Sequence, residues 1–293
     1  MKKNILLIFC GLILIIFSGL FLTWGWPFKW SLPEPELNKT LLLTKNLKES
    51  LEKQIFSPPP LRLIKQESEQ VVLTKEEIIK LTNFERIKLG LPSYQENQIL
   101  NKMAQAKVED MFKYQYFTHE SPTGEGIEDL ANQFGYKFLK IGENLAMGDF
   151  QSEEELVKSW LNSPGHRENI LNTAYQEIGV AVQKGILNGE TVWLAVQHFG
   201  LPLSVCQQPN ETLKEKIENN EIKLQEFEGL LIQLKSELEQ IKFAWSPVYR
   251  EKIEEYNQLV DQYNNLLLET KKLINQYNYQ VELFNNCLAS FNN

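Results

Sequence analysis

The chain has 293 residues, and its 30 lysines and arginines against 38 aspartates and glutamates give a formal net charge of −8. This length accommodates one ordinary globular domain with appendages, because single hydrophobic cores stop growing at roughly 250–300 residues. The acidic balance argues against nucleic acid as a partner, since neutralising phosphates needs a basic surface and the sequence contains no basic run. A neutral or positively charged polymer of the cell wall stays compatible with this charge.

An apolar segment near the amino terminus predicts a membrane anchor. Residues 5–22 are apolar apart from glycine and serine, and about eighteen residues at ~1.5 Å each span ~27 Å, close to the thickness of a bilayer core. Lys2 and Lys3 precede this segment, which favours a cytoplasmic amino terminus, and Trp24 follows it as an interfacial aromatic residue would. We therefore expect residues 1–26 to form a single-pass signal anchor in the cell membrane, with the bulk of the chain extracytoplasmic. A cleaved signal peptide is the alternative, and it gives the same side of the membrane.

The next segment, residues 27–73, is predicted to be a stalk and linker. Apolar residues at helical spacing predict a short amphipathic helix over residues 35–56. Ser57-Pro58-Pro59-Pro60 would end this helix, because proline cannot donate within a helix and three prolines favour an extended rod. Residues 61–73 mix aliphatic with charged side chains, which fits either a linker or an edge strand.

Residues 74–203 carry the pattern of a compact α+β domain. N-cap and capping-box signals predict a succession of helices at residues 74–89, 97–114, 127–134, 152–161 and from 163 onward. Two runs of alternating apolar residues follow, separated by Asn188-Gly189, which is a typical hairpin turn. Helices followed by a closing antiparallel hairpin favour an α+β fold over an alternating βαβ array.

The rest of the chain, residues 207–293, has a heptad pattern in two runs that Ser246-Pro247 separates. About five heptads in each run predict an antiparallel coiled-coil helical hairpin, ~50 Å long. Asn220 and Thr270 are the clearly polar core position of their respective runs. Folding the chain at Ser246 brings these two residues to neighbouring layers, where such side chains commonly fix the register.

Two of the three cysteines lie at the base of this predicted hairpin. Cys206 precedes Ser246 by 40 residues and Cys287 follows it by 41 residues. Equal helical rise in the two arms places both thiols at nearly the same height, and an oxidising compartment favours a disulfide between them. Two free thiols, or a Cys287 that faces away from the partner helix, are the alternative.

All three histidines lie between residues 119 and 198, and two of them belong to polar motifs. Two imidazoles and a carboxylate can bind a divalent metal or transfer protons near neutral pH, which makes His119, Glu143 and His166 candidate site residues. His198 shares strand parity with apolar neighbours and is predicted to be a hydrogen-bonded residue on a packed face. The motifs are Tyr116-Phe117-Thr118-His119, Gly142-Glu143-Asn144-Leu145-Ala146 and Asn162-Ser163-Pro164-Gly165-His166-Arg167.

In their order and spacing these motifs resemble the bacterial branch of the CAP superfamily (cysteine-rich secretory proteins, antigen 5 and pathogenesis-related proteins), also called the SCP domain. Three further sequence motifs strengthen the resemblance over residues 75–203: Asn83-Phe84-Glu85-Arg86, Ile178-Gly179-Val180 and Gln197-His198-Phe199-Gly200. The resemblance implies an α-β-α sandwich with a cleft whose floor carries two histidines and two acids. His119, Glu143 and His166 match three of these positions, and the second acid falls where this chain has Asn162 and Ser163.

Three uses of these residues stay open at this point. His119, Glu143 and His166 could hold Zn²⁺ with an open fourth position, line a polar ligand-binding cleft without metal, or form a structural hydrogen-bonded triad. Zn²⁺ is the cofactor that the first of these uses implies.

We expect a membrane-anchored, non-catalytic binding module for an envelope component, either a lipid or a peptidoglycan fragment. One alternative is a metal-dependent hydrolase in which Glu143 acts as the base. The other alternative is an assembly protein whose coiled coil binds a protein partner.

Overall fold

The structure is a computed structural model that describes residues 53–63, 71–243 and 245–291. The predicted signal anchor, residues 1–26, and the greater part of the predicted stalk lie outside these residues. Within the described part of the chain, no helix is both long enough and apolar enough to cross a membrane.

Five helices form within the predicted α+β domain, and their positions confirm the sequence prediction. Thr74, Asn97 and Ser152 each precede a helix, and each side chain accepts a hydrogen bond from a backbone amide of the first turn. The helices are α1 (Lys75–Lys88), α2 (Gln98–Tyr114), α3 (Ile127–Phe134), α4 (Glu153–Asn162) and α5 (Pro164–Leu171).

A six-stranded sheet runs between these helices. Its strands are β1 (Gln54–Phe56), β2 (Leu61–Arg62), β3 (Gln95–Glu96), β4 (Phe138–Gly148), β5 (Glu177–Leu187) and β6 (Glu190–Pro202). They lie in the order β1-β4-β6-β5-β3, with β2 also paired to β4. The long strands β4, β5 and β6 are antiparallel neighbours, and the three short strands pair parallel to them. Asn188 and Gly189 adopt left-handed φ angles of 53° and 85° in the predicted hairpin turn.

Helices cover both faces of the sheet. On one face α1, α4 and α5 bury a cluster that contains Ile78, Trp160 and Phe199. On the other face α2 and α3 pack on the sheet through residues such as Met103 and Leu194. The result is a mixed α/β domain with three layers, built around the central strands β4 and β6.

The amino-terminal part of the described chain differs from the sequence prediction. Residues 54–56 were expected to end a helix, but Gln54–Phe56 is a strand that pairs parallel with β4. Ser57 to Pro60 were expected to form a stalk, but this stretch connects β1 to β2 along the same edge of β4. The helical spacing of residues 35–56 therefore does not determine the structure of residues 54–56, because the backbone of these three residues pairs with the free edge of β4.

Two long helices, α6 (Glu211–Gln240) and α7 (Pro247–Ser290), lie antiparallel along the predicted heptad positions. Asn220 Nδ2 donates to Thr270 Oγ1 at 3.1 Å, in the neighbouring layers that the sequence predicts. The first of the two heptad runs was predicted to continue to Trp245, immediately before Ser246. This prediction is wrong, because α6 ends at Gln240 and Trp245 is 80% exposed. Supercoiling of this helical pair stays a prediction.

A disulfide closes the base of the helical pair. Cys206 and Cys287 are joined with a Cα–Cα distance of 5.7 Å, the pairing that the residue count predicts. Around it, Phe284 and Leu288 of α7 pack against Leu139 and Leu201 of the sheet. This contact attaches the hairpin to the end of the sheet through buried apolar side chains.

Candidate functional site

Glu143 is the centre of the polar cluster in the domain. It lies on β4 directly opposite His198 on β6, and its side chain is 1% exposed. Glu143 Oε1 lies 2.6 Å from His119 Nδ1, and Oε2 lies 2.8 Å from His198 Nε2. Each carboxylate oxygen therefore has its own imidazole partner.

These two histidines determine the charge state of Glu143. Burial alone would raise the pKa of the carboxyl, but the hydrogen bonds from His119 and His198 outweigh burial and lower this pKa to about 2. The positive charge of Lys107 acts in the same direction. Glu143 is therefore an ionised, fully paired carboxylate near neutral pH.

Helix α2 positions His119 through Lys107, a lysine on its buried face. Lys107 Nζ donates to the carbonyl oxygen of His119 at 2.6 Å and to Tyr116 Oη at 3.2 Å. The Tyr116 hydroxyl in turn donates to Asp110 on the same helix. This chain of contacts holds the loop after α2 so that the imidazole of His119 reaches Glu143.

The second ring nitrogen of His119 contacts the amino-terminal segment. His119 Nε2 lies 2.5 Å from the carbonyl oxygen of Pro58, which can only accept a hydrogen bond. Because the carboxylate of Glu143 is also an acceptor, both ring nitrogens of His119 face acceptor groups. The Glu143 contact thus orients His119 as a fixed donor toward a carbonyl group.

His166 lies in the first turn of α5 and does not join this cluster through a hydrogen bond. Its Nδ1 is hydrogen bonded to Ser163 Oγ at 2.8 Å, and its Nε2 is buried with no hydrogen-bond partner among the described residues. Burial, followed by the nearby positive charge of His119, lowers the pKa of His166 to about 4. Ser163 is the N-cap residue of α5, as the sequence predicts, but its side chain makes no capping hydrogen bond and instead bonds to His166.

A network of amides connects the His166 segment to β4. Asn144 Nδ2 donates to the carbonyl oxygen of His166 at 3.1 Å and to Gln197 Oε1 at 3.2 Å. Asn169 Nδ2 donates to Asn144 Oδ1 at 3.0 Å, and also reaches the carbonyl oxygen of Phe56 at 3.4 Å. Buried amides thus fix α5 beside the same edge of β4 that the amino-terminal segment follows.

The proposed zinc set of His119, Glu143 and His166 does not fit a metal. Among the residues that the structure describes, no group of three His, Cys, Asp or Glu side chains is arranged to hold a metal ion. The physical reason is that His198, not His166, is the second partner of Glu143, while Ser163 engages His166. Both oxygens of the carboxylate and both nitrogens of His119 already have partners.

Sequence reasoning missed three members of the site. His198 was predicted to be packed and hydrogen bonded, which is correct, but not to be a partner of Glu143. Lys107 lies among the buried, mostly apolar residues of α2, and a lysine at such a core position was the available signal. Pro58 belongs to a segment predicted to lie outside the domain, and no local pattern placed it at His119.

Comparison with known proteins identifies the domain. Residues 79–199 match the family model of CAP, the Cysteine-rich secretory protein family. Two proteins of Bacillus subtilis (strain 168) are similar over this part of the chain: the uncharacterized protein YkwD, 41% identical over 119 residues, and the uncharacterized membrane protein YlbC, 33% identical over 111 residues. Residues 79–199 therefore form a domain of the bacterial CAP superfamily.

The similarity is confined to the domain. The matched segments cover 41% and 38% of this chain, and 44% of YkwD and 32% of YlbC, so the chain spans less than half the length of these two relatives. A crystal structure of an extracellular protein containing a SCP domain from Bacillus anthracis is 30% identical, with a TM-score of 0.38 over 43% of this chain and 40% of that one.

Proposed function

We propose that this protein is a non-catalytic binding module held outside the cytoplasmic membrane by its amino-terminal segment, and that its cleft binds an amide-bearing fragment of the cell wall. The supporting observation is the orientation of His119. Glu143 holds one ring nitrogen at 2.6 Å, and the other nitrogen faces a carbonyl oxygen at 2.5 Å. A donor fixed in this way suits recognition of carbonyl groups, which peptide stems and acetylated sugars of a cell wall carry.

Binding fits these side chains better than hydrolysis. A general base needs a free lone pair within hydrogen-bond reach of the attacking water. Glu143 has both oxygens engaged by histidines and a pKa lowered to about 2, so it is a poor proton acceptor near neutral pH. The carboxylate therefore acts as a positioning group for His119.

Membrane attachment belongs to the same proposal. The apolar residues 5–22, with Lys2 and Lys3 before them, support a single-pass anchor with the CAP domain outside. The disulfide between Cys206 and Cys287 suits an oxidising compartment. A cleft displayed on that side of the membrane would face the cell wall.

Co-sedimentation of the full-length chain, purified in detergent, with isolated peptidoglycan tests this function. We expect saturable binding that His119→Ala weakens about tenfold or more, because it removes the hydrogen-bond donor that Glu143 orients toward the ligand and leaves a carbonyl group of the ligand unpaired. Glu120→Ala changes the exposed neighbour and serves as the matched control, with unchanged binding. Flotation with phosphatidylglycerol liposomes forms the second arm.

Peptidoglycan binding that is absent, or equal in His119→Ala and the wild type, would refute the assignment. Binding to liposomes alone, lost in His119→Ala, would replace the cell-wall fragment by a lipid as the ligand.

A further inference from the structure

We infer that the edge of β4 beside His119 is a binding groove for an extended, proline-containing peptide, and that residues 54–63 of this chain occupy it as an intramolecular ligand. We call residues 54–63 the strap. The inference rests on the proposed binding function and goes beyond it, because it assigns a second class of ligand, a peptide, to the same site. It assigns to the strap the place that a peptide from another molecule would take.

The two ends of the strap are bound through their backbone. Gln54–Phe56 pairs parallel with residues 140–142 of β4, and Leu61–Arg62 pairs parallel with residues 146–147. Beyond β2, the amide of Leu63 donates to the carbonyl oxygen of Met147 at 3.0 Å. Addition of an extended segment to a free sheet edge is a recurring mode of peptide recognition, in which main-chain hydrogen bonds provide affinity.

The centre of the strap is recognised differently, because it contains three successive prolines. Proline has no amide hydrogen, so the ladder is interrupted opposite residues 143–145. From Gln54 to Leu61 the strap advances seven residues while β4 advances six, from Lys140 to Ala146. The additional residue lets the strap leave the ladder while the carbonyl oxygen of Pro58 meets His119 Nε2.

Two glycines shape the surface that receives the strap. A Cβ atom at Gly165 of α5 would lie 2.6 Å from Pro58 Cβ, and all of its nearest contacts are atoms of Pro58. A Cβ atom at Gly148 of β4 would lie 2.9 Å from Leu63 Cβ. The groove therefore has a proline subsite between Gly165 and His119 and a second subsite at Gly148.

The strap lies on the domain surface and is not part of its buried core. Ile55 and Phe56 are 44% and 37% exposed, whereas Pro58 is buried against the groove. Leu61 and Leu63 only pack against the edge of the core cluster around Trp160. Removal of the strap would thus leave the helix-and-sheet core in place, as expected for a ligand that can be exchanged.

Covalent attachment sets the strength of the competition. A short connection gives a tethered segment an effective concentration on the order of millimolar, so a free peptide must compete with the strap for the groove. Disabling the strap should therefore strengthen the binding of an external peptide about tenfold or more. Proline in the ligand reduces the ordering cost, because it already favours an extended backbone.

The test uses the full-length chain in detergent and a fluorescent peptide with the sequence of residues 53–63. The strap is disabled by Leu61→Asp with Leu63→Asp, which places charges where the strap meets the core edge. We expect saturable binding by this variant in fluorescence anisotropy, binding about tenfold or more weaker by the wild type, and no binding of a scrambled peptide. Adding Gly165→Ala to the strap-disabled variant should abolish binding, because the new methyl group fills the proline subsite.

Gly229→Ala is the matched control, since a Cβ at Gly229 of α6 meets nothing within 4 Å, and it should leave peptide binding unchanged. Near-ultraviolet circular dichroism verifies that each variant is folded. A folded strap-disabled variant that does not bind the peptide, or that binds it equally well after Gly165→Ala is added, would overturn the inference. If that variant still binds peptidoglycan, only the peptide assignment fails; if it binds neither, the proposed function fails as well.

Discussion

Glu143 and His198 face each other across the β4–β6 ladder, and their side chains are hydrogen bonded at 2.8 Å with less than 2% of either exposed. This contact is one of the two that overcome the burial of Glu143 and lower the pKa of its carboxyl to about 2. The orientation of His119 depends on that charge, because the same carboxylate accepts from His119 Nδ1. His198 is thus a positioning residue for the cleft although it does not line it.

Replacing His198 by Ala should destabilise the fold by about 3 kcal/mol, because the buried carboxylate of Glu143 loses one of its two imidazole hydrogen-bond partners. The pKa of Glu143 should rise toward its ordinary value of 4.5. In the wild type, the stability from this depressed pKa is complete above about pH 4.5 and is lost as the pH falls toward 2. In the variant, acid should reduce the free energy of unfolding at a higher pH than in the wild type, and urea unfolding across pH 2–7 measures this difference.

Val196→Ala, a buried change on the same face of β6, is the control. It should lower stability without moving the acid transition, and identical pH profiles for the two variants would contradict the role of His198.

His166 should make stability fall between pH 6.5 and 4. Its folded pKa is lowered to about 4 from 6.5, so the unfolded chain binds the extra proton in this range and unfolding becomes easier as the pH falls. The full effect is on the order of 3 kcal/mol. His166→Gln should flatten the stability profile between pH 6.5 and 4, while Arg167→Gln, at an exposed neighbouring position, should keep the wild-type slope. A slope unchanged by His166→Gln would show that His166 is not buried as a neutral ring.

Zinc should not bind at His119, Glu143 and His166. The polar atoms of His119 and Glu143 are engaged with one another, with His198 and with Pro58. Isothermal titration calorimetry of the full-length chain in detergent should therefore give the same weak heat for the wild type and for His119→Ala. Stoichiometric binding by the wild type that His119→Ala abolishes would restore the metal site.

Loss of the disulfide should weaken the whole helical pair. Closing a loop of 81 residues restrains the unfolded chain, so Cys287→Ser should reduce the free energy of unfolding by roughly 4 kcal/mol. Chemical unfolding with and without dithiothreitol measures this difference. The reductant should destabilise the wild type and leave Cys287→Ser unaffected, and alkylation of both wild-type thiols without prior reduction would contradict the cross-link.

Much of the fold could be predicted because its signals are local. Thr74, Asn97 and Ser152 mark helix starts through their own side chains, and Asn188-Gly189 marks the hairpin through its left-handed backbone. Strand β4 was not predicted, since its residues are buried on both faces and show no alternation of apolar and polar side chains. The strand was visible only as a motif, Gly142-Glu143-Asn144.

The site could be predicted in part. His119 and Glu143 were expected to meet, and they do, whereas His166 was expected beside the carboxylate and His198 takes that place. A cross-strand partner depends on the register of β4 against β6, which no local pattern reveals. The strap was missed for the same reason: three prolines indicate an extended segment, but not the sheet edge along which it lies.

Hydrogen exchange at the Leu63 amide tests the central claim, occupation of the groove by the strap, most directly. In the full-length chain this amide donates to Met147 and should exchange measurably more slowly than an unprotected amide. Gly165→Ala should return it to the unprotected rate by expelling Pro58, while Gly229→Ala should leave it slow. An unprotected Leu63 amide in the wild type, or equal protection in Gly165→Ala, would contradict the account.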